Sequence, residues 1–333
     1  MSRCNLDLDD DETGWVYCPS VEAAILFTAL FGLTSLVHMF QWYTFRKKFS
    51  WVIVMSCLWE TAGFAFRIVS AQRIRGLWHF IPQQLFIILA PVWLNAFVYM
   101  VMGRMIYFFI PEKKIFGVSA KRITLVFVLL DILSMLVQAA SSSLMTSDDA
   151  RVADIGLKVY MGGIGLQELF ILIFLILAAR FQHKMTRLEQ TLLQPTSSTH
   201  NHYNLLPWRR LLYALYAGLI LITIRIIFRM VEYSSGHDTG LATSEAAFYC
   251  LEALPMIVGL GLFNFVHPGM VLVGPESEFP KKEKKEKKKK GKKGKEGGVK
   301  ERPKRPWRLR NRPVNNDVES ASELETEDAM RSM

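Results

Sequence analysis

The 333-residue chain has little with which to do covalent chemistry. Its four cysteines include no CxxC, and its seven histidines are scattered singly, so no metal-ligand spacing is present. There is no GxxxxGK(S/T) to cradle a nucleotide phosphate, which excludes ATP as a direct driver. Neither HExxH nor GxSxG occurs, and no Cys/His nucleophile arrangement is visible. No Asn-x-Ser/Thr sequon marks a glycosylated face. The first nineteen residues lack the basic start and apolar core of a cleavable signal peptide, holding Asp7, Asp9, Asp10, Asp11 and Glu12 instead. The chain is expected to be no enzyme and to need neither cofactor nor metal.

What it does have is apolar sequence. Hydrophobic residues make up 51% of the chain, more than a soluble domain normally covers with polar surface, although the net charge is +10. The charge is concentrated in a tail, since nineteen of the forty cations lie after Gly274 among only twelve acids. Seven apolar stretches approach the ~20 residues that a bilayer requires. They run from Val21 to Gln41, Trp51 to Ser70, Gln83 to Phe109, Ile123 to Leu144, Val159 to Ala179, Leu211 to Val231 and Glu245 to Val266. The continuous run Leu169 to Leu177 has no alternation, so a barrel is excluded and helices remain.

Cations in the connections set the orientation, because cytoplasmic loops retain them. Arg46, Lys47 and Lys48 follow the first span, Lys113, Lys114, Lys121 and Arg122 the third, and Arg180, Lys184, Arg187, Arg209 and Arg210 the fifth. The opposite connections hold few, and the sixth-to-seventh none. The expected fold is therefore an all-α integral membrane protein, a seven-transmembrane-helix bundle with the N-terminus outside and the C-terminus cytoplasmic. Three regions follow: an acidic extracellular segment over 1–19, the membrane domain over 20–268, and a disordered Lys-rich tail over 269–333. Cys4 and Cys18 share the oxidising side and are candidates for a disulfide, whereas Cys57 and Cys250 fall inside spans.

Ionisable groups within a span cost about 2.5–3.5 kcal/mol each, so each needs a partner or a wet cavity. Here they recur seven apart: Glu60 and Arg67, Asp131 and Gln138, Arg225 and Glu232, Glu245 and Glu252. Seven residues are nearly two helical turns, which keeps each pair on one face. Arg229 completes a charged stripe on the sixth span. Distances from the span ends put Glu60, Asn95, Asp131 and Gln167 near mid-membrane. Arg67, Gln138, Arg225, Arg229 and Glu252 fall between there and the outer face. One polar pocket opening outward is the expectation, with Pro91 and Pro255 interrupting backbone hydrogen bonds beside it. Buried salt bridges that merely hold the bundle are the alternative.

The residues also resemble a family, the fungal RTA-like lipid-translocating exporters, which include sphingoid-base and aminocholesterol resistance proteins. Tyr17-Cys18-Pro19-Ser20 resembles the family's Y-x-P-S, and Glu60-x-x-Gly63-Phe64-x-x-Arg67 its E-x-x-G-Y-x-x-R. Leu89-Ala90-Pro91 followed by Tyr99-Met100 and Gly103-Arg104 is similar to its third-span elements, and Phe127, Asp131, Ser134, Gln138, Gly163 and Gln167 continue the order. Arg225-x-x-Phe228-Arg229-x-x-Glu232, with Glu245, Tyr249, Pro255 and His267-Pro268, resembles the most specific block. Two departures stand out: Ala140-Ser141-Ser142-Ser143 replaces a glycine cluster, and Glu252 stands where Asp is expected.

The resemblance implies export of an amphipathic lipid, a sphingoid long-chain base or a lipid-like toxin, at the plasma membrane. In this reading Glu60, Asp131 and Glu252 attract an ammonium headgroup, while Arg67, Arg225 and Arg229 balance them or meet a phosphate. A seven-helix lipid or stress sensor signalling through its cytoplasmic loops fits the same topology, and the sequence leaves both open. Between Lys281 and Lys295 eleven of fifteen residues are Lys. On the cytoplasmic side Lys281, Lys282, Lys284, Lys285, Lys287, Lys288, Lys289 and Lys290 read as a contact with anionic lipid. Without a folded reader domain or interleaved aromatics, nucleic acid is not an expected partner. The oligomeric state is not legible. Met185, Leu188 and Leu192 line one side of an amphipathic stretch expected on the inner membrane surface.

Overall fold

The first helix begins where a polar side chain can replace the missing turn. The Ser20 hydroxyl accepts from the Ala23 amide at 3.2 Å, and Glu22 sits in the first turn, where a negative charge is favoured. From there α1 (Val21–Phe45) runs to Arg46, whose left-handed φ of 51° stops it. A short 3₁₀ turn (Lys48–Ser50) leads into α2 (Trp51–Gln72), followed by α3 (Leu77–Phe109), α4 (Ala120–Met145), α5 (Ala150–Leu192) and α6 (Pro207–Ser234). The seventh span is built in pieces: α7 (Glu245–Phe248), a π turn (Tyr249–Ala253), α8 (Leu254–Phe265) and α9 (Pro268–Val271). The computed structural model describes residues 15, 17–74, 77–145, 147, 149–192, 207–234, 244–274 and 279. Cys4, the acidic N-terminus and the Lys-rich tail with Lys281 to Lys290 lie outside the described residues.

Seven helices in the described chain are long and apolar enough to cross a membrane, so the protein is a multi-pass membrane protein. Consecutive helices pack as neighbours, and α8 closes the ring against α1 and α6. Through further contacts with α5 and α6, α3 becomes the central post. Accordingly 56% of its apolar window is buried against 22% for α1, whose Leu26, Leu33, Leu36 and Phe40 face outward as lipid-facing residues do. The helices approach closely where side chains vanish. A Cβ on Gly63 would lie 2.7 Å from Ile87 Cγ1, and one on Gly163 2.9 Å from Gln138 Cγ.

Two boundaries differ from the expected ones. The third helix starts at Leu77 and carries both Pro82 and Pro91 inside it, each of which leaves the carbonyl four residues earlier without its helical N–H donor. The fifth helix has 43 residues instead of the twenty-one from Val159 to Ala179. Hydropathy stops at the first charges, but Arg, Lys and Glu are good helix formers and carry the helix onward. Asp149 accepts from the Arg151 amide at 2.9 Å at one end, and Lys158 pairs with Asp154 at 2.6 Å one turn later. At the other end Phe181 and Met185 are fully buried and Leu188 packs on the core. The stretch from Met185 is therefore a continuation of α5, with Met185 and Leu188 packed on the bundle.

Between α3 and α4 the chain makes a two-stranded hairpin, β1 (Lys114–Ile115) with β2 (Val118–Ser119), Lys114 opposite Ser119 and Ile115 opposite Val118. Its two turn residues, Phe116 and Gly117, both have positive φ, at 50° and 75°. Such a turn matches the twist of the flanking strands.

Candidate functional site

The polar residues of the spans gather in three separate groups, not in one outward pocket. The first lies where α2 ends and the seventh span begins. Arg67 donates to the hydroxyls of Tyr249 at 3.1 Å and Tyr17 at 3.0 Å, and its guanidinium is 3.6 Å from Glu245. Aromatic rings enclose it, with Phe248 at 4.3 Å and Trp15 at 4.8 Å from the guanidinium carbon. Glu245 also accepts from the Ser20 amide at 2.7 Å, tying the start of α1 to the seventh span. Burial holds the Tyr17 phenol above its ordinary range against the pull of Arg67, so it stays protonated. Cys18, beside it, is disulfide-bonded, while Cys57 and Cys250 are free thiols.

The second group is deeper. Glu252 sits on the π turn and receives both arginines of α6: Arg225 and Arg229 both donate to Oε1, the latter at 2.9 Å, and the Arg229 Nε donates to Oε2 at 3.1 Å. Arg229 also reaches Glu232 at 3.2 Å, and Arg225 the Ile87 carbonyl at 3.2 Å. Pro255 has no N–H to return to the Leu251 carbonyl, which accounts for the loosened turn ahead of it. The wider turn rotates Glu252 out of line with Glu245. The expected shared face is thereby split: Glu245 serves Arg67 and Glu252 serves Arg225 and Arg229.

Glu60 lies within electrostatic reach of that cluster, facing Arg225, Glu252 and Arg229. It is 1% exposed, forms no ion pair among the described residues, and its Oε1 has no hydrogen-bond partner. Two arginines and two direct acid partners already balance, so Glu60 is the carboxyl left over. A cavity of about 40 Å³ shares Arg225 and Arg229 with that cluster and is lined further by Pro91, Gln138, Tyr160 and Gln167. Gln138 donates to Gln167 at 3.1 Å across its wall. The space holds a few waters and no alkyl chain.

The third group joins α3 to α4. Asn95 donates to Asp131 Oδ2 at 2.9 Å, leaving Asn95 Oδ1, Asp131 Oδ1 and the nearby Tyr99 hydroxyl buried without partners. Glu168, which the sequence reading passed over for its neighbour Gln167, faces Tyr99 from α5 and accepts from Thr223 at 3.0 Å. Its other oxygen is an orphan. An acid inside an apolar run was the available signal. His38 is packing, its Nε2 3.0 Å from the Leu260 carbonyl.

This geometry, a π turn whose acid clamps two arginines four residues apart, rests on the block Arg225-x-x-Phe228-Arg229-x-x-Glu232 with Tyr249, Glu252 and Pro255. Residues 53–274, which include that block, match the family described as RTA1 like protein. The chain belongs to that family. Among RTA1-like relatives, the probable lipid transporter atnI of Emericella nidulans is 42% identical over 270 residues, covering 80% of this chain and 70% of its own. Protein RTA1 of Saccharomyces cerevisiae is 28% identical over 277 residues, 76% of this chain and 84% of its own. The sphingoid long-chain base transporter RSB1 of the same yeast is 22% identical over 287 residues, 79% of this chain and 75% of its own. No solved structure matches.

Proposed function

We propose that the protein translocates amphipathic lipids through its seven-helix bundle, with sphingoid long-chain bases and similarly charged lipid-like toxins as substrates, and so confers resistance to them. The observation that carries this reading is the buried Glu60 carboxyl, which forms no ion pair among the described residues and stands within reach of an ion cluster already neutral without it. An isolated buried carboxyl is costly unless a cation visits it, and the ammonium of a long-chain base is such a cation. Relatives named as lipid and long-chain-base transporters support the same class.

In this mechanism Glu252 has a different role from Glu60. Both of its oxygens are held by arginines, so it fixes Arg225 and Arg229 in place. Glu60 is the first acceptor of the ammonium, Gln138 and Gln167 offer hydrogen bonds to the headgroup hydroxyls, and Asp131, with one oxygen unpartnered, is a second station across the bundle. The alkyl chain stays in lipid between helices. Because the cavity admits only a few waters, passage requires the helices around it to part. Arg67, Glu245 and Glu232 act as the frame of this pathway. The reading further places the N-terminus outside, the C-terminus in the cytoplasm and the protein in the plasma membrane. It divides the chain into the acidic segment, the membrane domain and the tail, with the tail lysines on anionic lipid and Cys4 as the bonding partner of Cys18.

The test is leaflet exchange of a fluorescent long-chain base in liposomes holding the purified protein, with and without a proton gradient. Exchange accelerated by the protein and reduced at least ~10-fold in both Glu60→Gln and Asp131→Asn is expected, each tenfold corresponding to about 1.4 kcal/mol. Saturable binding without flux would replace the translocator with a sensor.

A further inference from the structure

A second site lies at the other end of the bundle, on the side of the basic connections. Where α3 turns through the hairpin and α5 emerges from its apolar run at Ala179, a cleft of about 500 Å³ opens between β1–β2 and α5. That volume is within the ~300–1,000 Å³ typical of small-molecule sites and far larger than the cavity lined by Arg225 and Arg229. Lys114 and Phe116 line it from the hairpin, and Arg180, His183, Lys184 and Arg187 from the helix.

The charge arrangement is specific. Arg180, Lys184 and Arg187 fall at i, i+4 and i+7, so they share one face, and the two arginines are about 10 Å apart along the axis. Glu112 is the only acid in the wall and is already taken by Lys184 at 2.7 Å. Among the described residues Lys114, Arg180 and Arg187 make no ion pair, and the Arg180 guanidinium lies 5.8 Å from the centre of the Phe116 ring. Four cations therefore face one acid.

The hairpin presents the opposite kind of surface. Ile115 is buried and anchors it, the Lys113 carbonyl accepts from the Ala120 amide at 3.2 Å, and the turn projects Phe116 with 63% of its surface exposed. A Cβ on Gly117 would meet nothing, so the turn leaves the cleft open. An exposed aromatic beside a row of cations, at the level where an apolar helix run ends, is the pattern of the headgroup layer of a bilayer.

The geometry points to a binding site for a headgroup carrying phosphate monoesters, held between Arg180, Lys184 and Arg187 of α5 and Lys114 of the hairpin. Guanidinium forks pair with phosphate oxygens in bidentate fashion, and cations spread over two helical turns suit a headgroup with more than one phosphate better than a single carboxylate. A lipid inserted beside Phe116 and a soluble phosphate ester offer the same chemistry. The site differs from the Lys-rich tail, a run of like charges in sequence whose attraction follows surface charge density rather than headgroup shape. It also sits on α5, the helix that carries Gln167 and Glu168, so its occupant touches an element that frames the pathway.

The experiment uses the full-length protein in nanodiscs containing either a phosphatidylinositol bisphosphate or phosphatidylserine at matched total charge. Lipid retained by the protein is read by native mass spectrometry. Wild type is compared with the triple variant Arg180→Gln, Lys184→Gln, Arg187→Gln, whose targets lie outside the buried core, and with a variant in which Lys281 to Lys290 are neutralised. Expected are selective retention of the bisphosphate lipid, its survival in the tail variant, and a loss of roughly 10- to 100-fold in the triple variant. Phe116→Ser weakens the lipid without changing affinity for soluble inositol trisphosphate. Displacement by inositol trisphosphate identifies the phosphates alone as sufficient, and failure to displace identifies the lipid as the source. Equal retention of both lipids, or a triple variant that binds as wild type does while the tail variant fails, overturns the site.

Discussion

Arg67 and Glu60 stand seven residues apart on one helix, and both are almost fully buried, yet their surroundings are opposite. Arg67 has two phenols, an acid and several aromatic faces around it, and nothing more could be added. Glu60 has arginines within electrostatic reach, but those arginines are claimed by Glu252. A buried charge with every partner in place holds a structure together, whereas one without a partner costs stability and is kept for another reason. The difference separates a latch from a candidate ligand station, although sequence spacing treats the two residues alike.

The largest effect tests the assumption that Glu252 belongs with the latch. Glu252→Gln removes the one acid shared by Arg225 and Arg229, leaving two cations inside the bundle with only Glu232 in direct contact. Breaking a buried pair in this way costs about 3–5 kcal/mol. The variant is expected to lose most of its thermal stability in detergent, read from the unfolding midpoint. Glu252→Asp keeps the charge and shortens the side chain by one methylene, so a much smaller loss is expected. Equal losses would mean that geometry rather than charge holds the cluster.

Next comes Arg67→Leu. It strands Glu245 and two phenols and empties a ring of aromatics, for an expected cost of about 2–4 kcal/mol. Because Glu245 also binds the Ser20 amide, the N-terminal segment is expected to become accessible to protease at the same time. Unchanged protection would show that the strap is held by the Cys18 disulfide alone. Gly63→Ala ranks third. Its new Cβ would lie 2.7 Å from Ile87 Cγ1 and 3.2 Å from the Ile87 amide nitrogen, forcing α2 and α3 apart at about 1–3 kcal/mol. Ile87→Ala in the same chain relieves the first contact but not the second, so a partial rescue is expected, and full rescue would show that the backbone is free to shift.

The sequence made the bundle legible because a span needs only length and apolarity, and those survive any detail of packing. Seven runs therefore map onto seven helices. The ends of α5 were not legible, since hydropathy falls where the helix leaves the apolar layer while helix propensity does not. Among the polar residues, the spacing identified most of the members but not their pairings. Arg67 finds Glu245 rather than Glu60, because pairing depends on which helices are neighbours and on the phase shift introduced by the π turn before Pro255. Glu168 was hidden by Gln167, which carries the family pattern at the adjacent position. The cleft above Lys114 and Arg187 was unreadable because its walls, a hairpin and a helix extension, are some seventy residues apart in the chain and neither looks unusual alone.

The smallest stability effect is the one that sharpens the comparison most. Glu60→Gln replaces the orphan carboxyl by an amide of nearly the same shape, and an unpartnered buried group contributes little to hold the fold, so a change within about 1 kcal/mol is expected, on the stabilising side if the carboxyl is ionised. A latch residue cannot behave this way, as Arg67→Leu and Glu252→Gln both lose stability together with any activity. The unfolding midpoint of Glu60→Gln is therefore to be read beside its leaflet-exchange rate. An unchanged or raised midpoint with exchange lost separates the station from the frame. A midpoint that falls as far as that of Glu252→Gln would mean that Glu60 is a hidden member of the arginine cluster, and the ammonium acceptor would then have to be sought at Asp131, another acid with an unpartnered oxygen.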